Sequence, residues 1–198
     1  MLFVRIAAIM AVLGVLCTCS NRKKTGIEDL AEYVADESHG LRKQQTWRGI
    51  TLSVDYTPKV TVARDMLGSA YTTERGDSLV EELSDYTYFK FTLSREGRAV
   101  TNMFADDPDS YVEAEDYLES VIGRDLRLIA DGRSYVADDF VHVRGIESAR
   151  GSVVVVVFRD APVSQTESFD FIFEDHFFGT GMSVFAFKGD SIALLEGR

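Results

Sequence analysis

Two short stretches of the sequence place a histidine beside carboxylates, the combination from which acid–base catalysts and metal sites are built. His142 follows Asp138 and Asp139 in DDFVHV, and His176 directly follows Asp175 in FEDHFF. Each group needs a third partner to activate a water molecule or to complete a metal site, and the spacing supplies none. The two groups are therefore the candidates for an enzyme, although chance proximity along the chain is the simpler explanation.

The acidic run ADDPDSYVEAED offers carboxylate oxygens of the kind that calcium binds. It lacks the alternating ligands and central glycine of a calcium loop, whereas a helix start explains the same residues. Ser110 is the expected N-cap, with Glu113 as its partner in a capping box. The sequence also shows no nucleophile elbow, paired-cysteine metal motif or phosphate-binding loop. It therefore predicts neither a metal nor another cofactor.

Helices and strands must position these side chains, and their pattern predicts a mainly β fold. Apolar residues recur at helical spacing in residues 26–39 and in residues 110–122, the latter with an apolar face of Tyr111, Ala114, Leu118 and Val121. Gly40 and Gly123 are the expected stops of these two helices.

Most of the remaining chain reads as short strands. Alternation predicts strands in residues 50–57 and 86–93, a returning strand in residues 100–104, and strands in DLRLIA, SYVADDFVHV, SVVVVVFR, SFDFIFED, SVFAFKG and SIALLE. Asp131-Gly132 is typical of a hairpin turn. Because the two helices do not alternate with the strands, we expect an antiparallel β-sandwich with two peripheral helices. Residues 62–83 fit either a loop or a short helix.

Cys17 and Cys19 are the chain's two cysteines, and they stand one residue apart. The apolar run that precedes them, residues 6–16, is too short to span a bilayer as a helix and is typical of a secretory signal. A disulfide between them would close a very small ring against the usual Cα separation. Two thiolates without a neighbouring histidine make only half a zinc site.

The run LCTC resembles a bacterial lipobox, in which the cysteine receives diacylglycerol and becomes the mature N-terminus. On that template Leu16 and Thr18 select Cys19, since the choice of Cys17 would place bulky Leu16 directly before the cut. The resemblance implies a signal peptide of residues 1–18, a tether of residues 19–25 and a single β-sandwich-like domain of residues 26–198. An ordinary cleaved signal or an uncleaved anchor are the alternatives.

Residues 32–59, EYVADESHGLRKQQTWRGITLSVDYTPK, resemble an opening that recurs in uncharacterised lipoproteins of the Bacteroidota. In that opening a Tyr-Val helix end is followed by Gly-Leu and by a strand that closes in Tyr-x-Pro. The resemblance implies a phylum and a compartment but no activity. Surface lipoproteins of that phylum often carry an acidic signal after the cysteine, whereas the tether here is basic. We therefore expect a periplasm-facing anchor, and Ser20 favours the outer membrane.

The net charge of the chain restricts the kinds of partner that it can bind. The net charge of −11 argues against nucleic acid, whose phosphates the chain would repel. We expect a lipid-anchored binding or accessory protein of the cell envelope, with the membrane as one partner through its acyl chains and an envelope protein as the other. The alternative is an envelope hydrolase or metal-dependent enzyme that uses His142 or His176 with the neighbouring aspartates.

The lipobox predicts the behaviour of two cysteine variants. Cys19→Ala should leave the chain without acyl groups, because the acceptor thiol is removed, whereas Cys17→Ala should be processed normally. Intact-mass measurement of both variants checks this. Loss of acylation in Cys17→Ala alone would move the anchor to that residue.

Overall fold

A computed structural model describes residues 27–144 and 150–196. Cys19, the proposed signal peptide and the tether lie outside the described residues. In chain order the strands are β1 (Arg42–Trp47), β2 (Ile50–Thr57), β3 (Tyr86–Arg95), β4 (Arg98–Ala99), β5 (Leu126–Ala130), β6 (Arg133–Val136), β7 (Asp139–Val143), β8 (Ser152–Arg159), β9 (Ser168–Glu174) and β10 (Met182–Lys188).

The described ranges also contain helices α1 (Ile27–Ala35), α2 (Lys59–Leu67), α3 (Thr73–Glu82), α4 (Pro108–Ser120) and α5 (Gly189–Glu196). Short 3₁₀ helices lie at Glu37–His39, Gly68–Ala70, Val100–Phe104 and Ile122–Asp125. None of the helices within these ranges has the length and apolar character needed to cross a bilayer.

The strands form two antiparallel sheets. The larger has the order β1-β2-β3-β8-β7, with β4 paired to the end of β3, and the smaller has the order β10-β9-β5-β6. This arrangement is sandwich-like and mainly β, as the sequence predicts. The Asp131-Gly132 hairpin turn between β5 and β6 is also confirmed, since both residues have the positive φ, 50° and 73°, that a type I′ turn requires.

The two sheets meet through aromatic side chains. Phe89 on β3 lies at the centre, with ring centroids 5.4 Å from Phe171 and 6.0 Å from Phe169 on the facing sheet. Phe169 also stacks on Phe187 of β10 at 5.3 Å. The residues of this core that are less than 2 % exposed include Tyr56, Phe89, Phe91, Phe158, Phe171, Phe173, Phe185 and Phe187. Burial of each such side chain stabilises the fold by roughly 1.5–3 kcal/mol.

Helices complete the core of the sandwich. Val34 of α1 and Ile192 and Leu195 of α5 join it. Ala114 and Leu118 of α4 do so as well, together with Ile122 of the following 3₁₀ helix. α4 also packs against β7, and α5 against β10.

Both predicted helices are present, but the start of the second was predicted wrongly. α1 and the 3₁₀ helix after it end at Gly40, whose φ of 73° makes it the expected stop. The N-cap of α4 is Asp107, which accepts hydrogen bonds from the backbone N–H of Ser110 at 3.4 Å and from its hydroxyl at 2.7 Å. Pro108 occupies the first helical turn, where its missing N–H costs nothing.

The apolar face of α4 also differs from the prediction. Tyr117 is buried in place of Tyr111, which is 37 % exposed, and Val121 is 38 % exposed. The helix ends before Gly123, because the chain passes into the 3₁₀ helix Ile122–Asp125.

Three further predictions were wrong. SIALLE forms helix α5, whose Ile192 and Leu195 lie three residues apart on one buried face. Residues 100–104 form a 3₁₀ helix, so the returning strand is limited to Arg98–Ala99. SYVADDFVHV divides between the sheets, since β6 joins the smaller one and β7 the larger.

The helix count also differs, because residues 62–83 belong to a helical hairpin between β2 and β3. Gly76 of α3 packs against the ring of Tyr71, where an added Cβ would lie 2.7 Å from the nearest ring atom. The guanidinium of Arg64 lies 4.7 Å from the centroid of the same ring. This hairpin and α5 accompany the two helices that the sequence predicts.

The register of β9 predicts unequal effects of two neighbouring substitutions. Phe171→Ala should lower the free energy of unfolding by about 3–5 kcal/mol, because it leaves a cavity between the sheets. Asp170→Ala on the opposite face should change it by less than about 0.5 kcal/mol. Urea denaturation of both variants measures the difference, and equal midpoints would contradict the register.

Candidate functional site

The structure does not pair Asp175 with His176. The Asp175 carboxylate instead accepts hydrogen bonds from the backbone N–H groups of Phe177 at 2.9 Å, Phe178 at 2.8 Å and Thr180 at 2.5 Å. The hydroxyl of Thr180 donates a further hydrogen bond at 2.7 Å. Asp175 therefore holds the loop between β9 and β10 in shape, and its oxygens are engaged within the chain.

His176 pairs with a different carboxylate. Its Nδ1 lies 3.0 Å from Oδ1 of Asp125, and the hydroxyl of Tyr117 donates to Oδ2 of the same carboxylate at 2.6 Å. Burial raises the pKa of Tyr117 above its ordinary value, and the hydrogen bond to Asp125 adds to this effect, so the hydroxyl stays protonated. The side chain of Asp125 is 11 % exposed and that of His176 is 64 % exposed. The result is a buried carboxylate that orients a surface imidazole.

This Tyr–Asp–His arrangement could transfer a proton, but it lacks a nucleophile. Within the described ranges, no serine, threonine or cysteine side chain hydrogen-bonds to His176. Glu174 lies 4.0 Å from its Nε2, while the stronger partner of Glu174 is Arg127 at 2.8 Å. The hydrogen bond and charge of Arg127 lower the pKa of Glu174, which stays ionised.

His142 is also separated from the aspartates that precede it. Asp138 lies 3.7 Å from the guanidinium of Arg159, and Asp139 accepts a hydrogen bond from the backbone N–H of Phe140 at 2.8 Å. Asp139 and His142 are three residues apart on β7, so their side chains point to opposite faces of the sheet. The predicted Asp/His group is therefore not assembled.

The structure instead places His142 opposite two glutamates of α4. Glu115 and Glu119 are four residues apart and share one face of the helix. One ligand atom from each of Glu115, Glu119 and His142 lies within 4.8 Å of the other two. Arg144 makes an ion pair with Glu119, and its Nη2 lies 3.9 Å from Glu115. We call Glu115, Glu119 and His142 the Glu–Glu–His cluster.

One nitrogen of His142 lacks a partner. Its Nδ1 is buried and has no hydrogen-bond partner among the residues that the structure describes. Burial lowers the pKa of His142 below its ordinary value, and this outweighs the opposite influence of Glu115 and Glu119. The imidazole is therefore neutral near pH 7, which is the form that binds metal ions.

A groove of about 570 Å³ runs beside the cluster. Glu115, His142 and Arg144 line it, together with Tyr111 of α4 and Ser152 at the start of β8. The cluster is thus accessible from an open cavity large enough for a small molecule.

The sequence predicts only part of this site. It marks His142 as a candidate and places Glu115 in the acidic run, but nothing in their spacing joins them. The one signal for Glu119 is its position one turn after Glu115 on an amphipathic helix. The partnership depends on how α4 packs against β7, which local sequence does not determine.

Comparisons of the chain with models of known families, with curated proteins and with solved structures found no match.

The two neighbours Asp175 and His176 should differ in their importance for stability. Asp175→Ala should lower the free energy of unfolding by at least about 2 kcal/mol, because it leaves buried N–H groups without an acceptor. His176→Ala should cost less than about 1 kcal/mol, since the imidazole is largely exposed. Urea denaturation compares them, and a silent Asp175→Ala variant would argue against the loop-holding role.

Proposed function

We propose that this chain is a non-catalytic binding module of the cell envelope. Acyl chains on Cys19 hold it to the outer membrane, facing the periplasm, and the outer face of the larger sheet binds an envelope protein. The lipobox-like LCTC run and the resemblance of residues 32–59 to Bacteroidota lipoproteins support the location.

An aliphatic strip on the outer face of the larger sheet carries this proposal. It consists of Val141 and Val143 on β7 and of Val155 and Val157 on β8, which we call the valine strip. In the register of these strands Val141 lies opposite Val155, and Val143 and Val157 stand two residues away on the same face, so the valines are contiguous. Val141 is 59 % exposed, and the other three valines are partly exposed. The core needs only the inward residues of β8, and exposed apolar surface of this kind favours contact with a partner.

The surroundings of the valine strip indicate the chemistry of the partner. Asp139 lies on the same face, opposite Val157. The cations of this face are paired within the chain, Lys90 with Asp55 and Arg159 with Asp138. The whole chain is acidic, with a net charge of −11. A partner of complementary charge presents an aliphatic surface bordered by lysine or arginine.

The positions of the predicted Asp/His pairs in the structure favour a binding role over hydrolysis. Asp139 and His142 point to opposite faces of β7, and Asp175 holds a loop. His176 has a carboxylate partner but no nucleophile among the described side chains. A hydrolase would also need groups that hold a water molecule at the imidazole and stabilise the charge of the transition state.

Site-specific photocrosslinking in the native envelope tests the proposal. A photoreactive residue at position 141 of the acylated chain should give one crosslinked product with an envelope protein. The same residue at position 136 is the control, because Val136 is also an exposed valine, 73 % accessible, but lies on β6 of the smaller sheet. The product should weaken in high salt and disappear when Val155→Asp is added.

Mass spectrometry of the crosslinked peptide decides the outcome. A site of attachment within an apolar segment bordered by basic residues would support the proposal. Equal crosslinking from positions 136 and 141, attachment to lipid, or a product of two copies of this chain would contradict it.

A further inference from the structure

The geometry points to the Glu–Glu–His cluster as a binding site for one divalent transition-metal ion, with Zn²⁺ the expected occupant. This inference goes beyond the proposed binding role and uses different residues. His142 faces the side of β7 opposite Val141 and Val143, so the metal site and the valine strip can be tested separately. It also departs from the sequence, which predicts no metal.

The spacing of the three side chains suits a metal ion. Zinc binds carboxylate oxygen and imidazole nitrogen at about 2.0–2.2 Å, which places the ligands of a tetrahedral site roughly 3.4 Å apart. The three candidate atoms lie within 4.8 Å of one another. Small rotations of the glutamate side chains would close the difference, and Glu119 lies on the exposed surface of α4.

The unpartnered nitrogen of His142 is a second observation that points to a ligand. A buried polar atom without a hydrogen bond costs about 1–3 kcal/mol. A metal ion bound to Nδ1 would supply the missing partner and offset that cost. The strand that carries the ring is packed beside the end of α4, since Phe140 lies against Gly123 in the 3₁₀ helix that follows α4.

Arg144 is the competing cation. Its guanidinium carries one positive charge against the two carboxylates of Glu115 and Glu119, whereas a divalent ion balances both. The two cations repel each other and cannot both lie between the glutamates. Because the Arg144 side chain is 66 % exposed, it can turn into solvent when a metal ion enters.

The ligand set selects the class of metal. Imidazole favours zinc and other first-row transition metals, whereas calcium and magnesium prefer sites built from oxygen alone. Three protein ligands leave one tetrahedral position free for water or for an oxygen ligand. That position adjoins the groove, because Glu115 and His142 both line it.

Zinc titration of the purified full-length chain, after chelator treatment, tests this site. Isothermal titration should give one equivalent of bound zinc, and metal analysis after gel filtration should give the same ratio. Glu119→Gln and His142→Gln should each weaken binding at least tenfold, because each removes a ligand. His176→Gln is the matched control, since it alters a histidine that pairs with Asp125 outside the cluster, and it should bind zinc as the wild type does.

Arg144→Gln separates a metal site from a purely structural ion-pair cluster. Removal of the competing cation should tighten zinc binding at least threefold, although the variant loses its ion pair with Glu119. Both Glu119 and Arg144 lie at the surface, so these variants remain informative if His142→Gln fails to fold. The proposal is overturned if the wild type binds no zinc, if Glu119→Gln binds normally, or if Arg144→Gln gains no affinity.

Discussion

The interlocking of phenylalanine rings between the two sheets is the constraint on which the rest of this structure depends. No cysteine follows Cys19, so no disulfide within the folded domain can compensate for a poor core. Phe89 contacts rings from β8, β9 and β10, which joins both sheets around one side chain. A slip of one residue in β9 would turn its three phenylalanines to the outside. The core therefore fixes the strand registers, and the registers fix which polar side chains face outward.

The position of the Glu–Glu–His cluster follows from this register and from one close contact. An added Cβ at Gly123 would lie 2.1 Å from the ring of Phe140, so the ring occupies the space that a larger residue would need. Phe140 and His142 are two residues apart on β7 and therefore point to the same side. The contact at Gly123 thus places His142 beside α4, where Glu115 and Glu119 lie one helical turn apart.

The sequence predicts correctly those elements whose hydrophobic pattern is distinctive over a short stretch. It does not predict the elements whose conformation depends on packing against distant parts of the chain. β9 alternates clearly, and its phenylalanines face the core as predicted. SIALLE is a short apolar run that fits a strand or a buried helix equally well. The helix begins at Gly189, where an added Cβ would lie 1.8 Å from the carbonyl oxygen of Thr166, so its docking requires a glycine there. SYVADDFVHV divides between two sheets because each half pairs with a different strand. The local hydrophobic pattern does not predict these pairings.

The candidate site also depends on packing that the local sequence does not predict. His142 and Asp139 are close in the sequence, but residues three apart on a strand point to opposite faces of the sheet. The glutamates that approach His142 come from a helix more than twenty residues earlier. The edge strand β7 has, on each of its two faces, a side chain whose surroundings are incomplete. Val141 on its outer face is exposed, and His142 on its inner face has a buried nitrogen. Neither feature finds a partner among the described residues, and so both favour ligands from outside the chain.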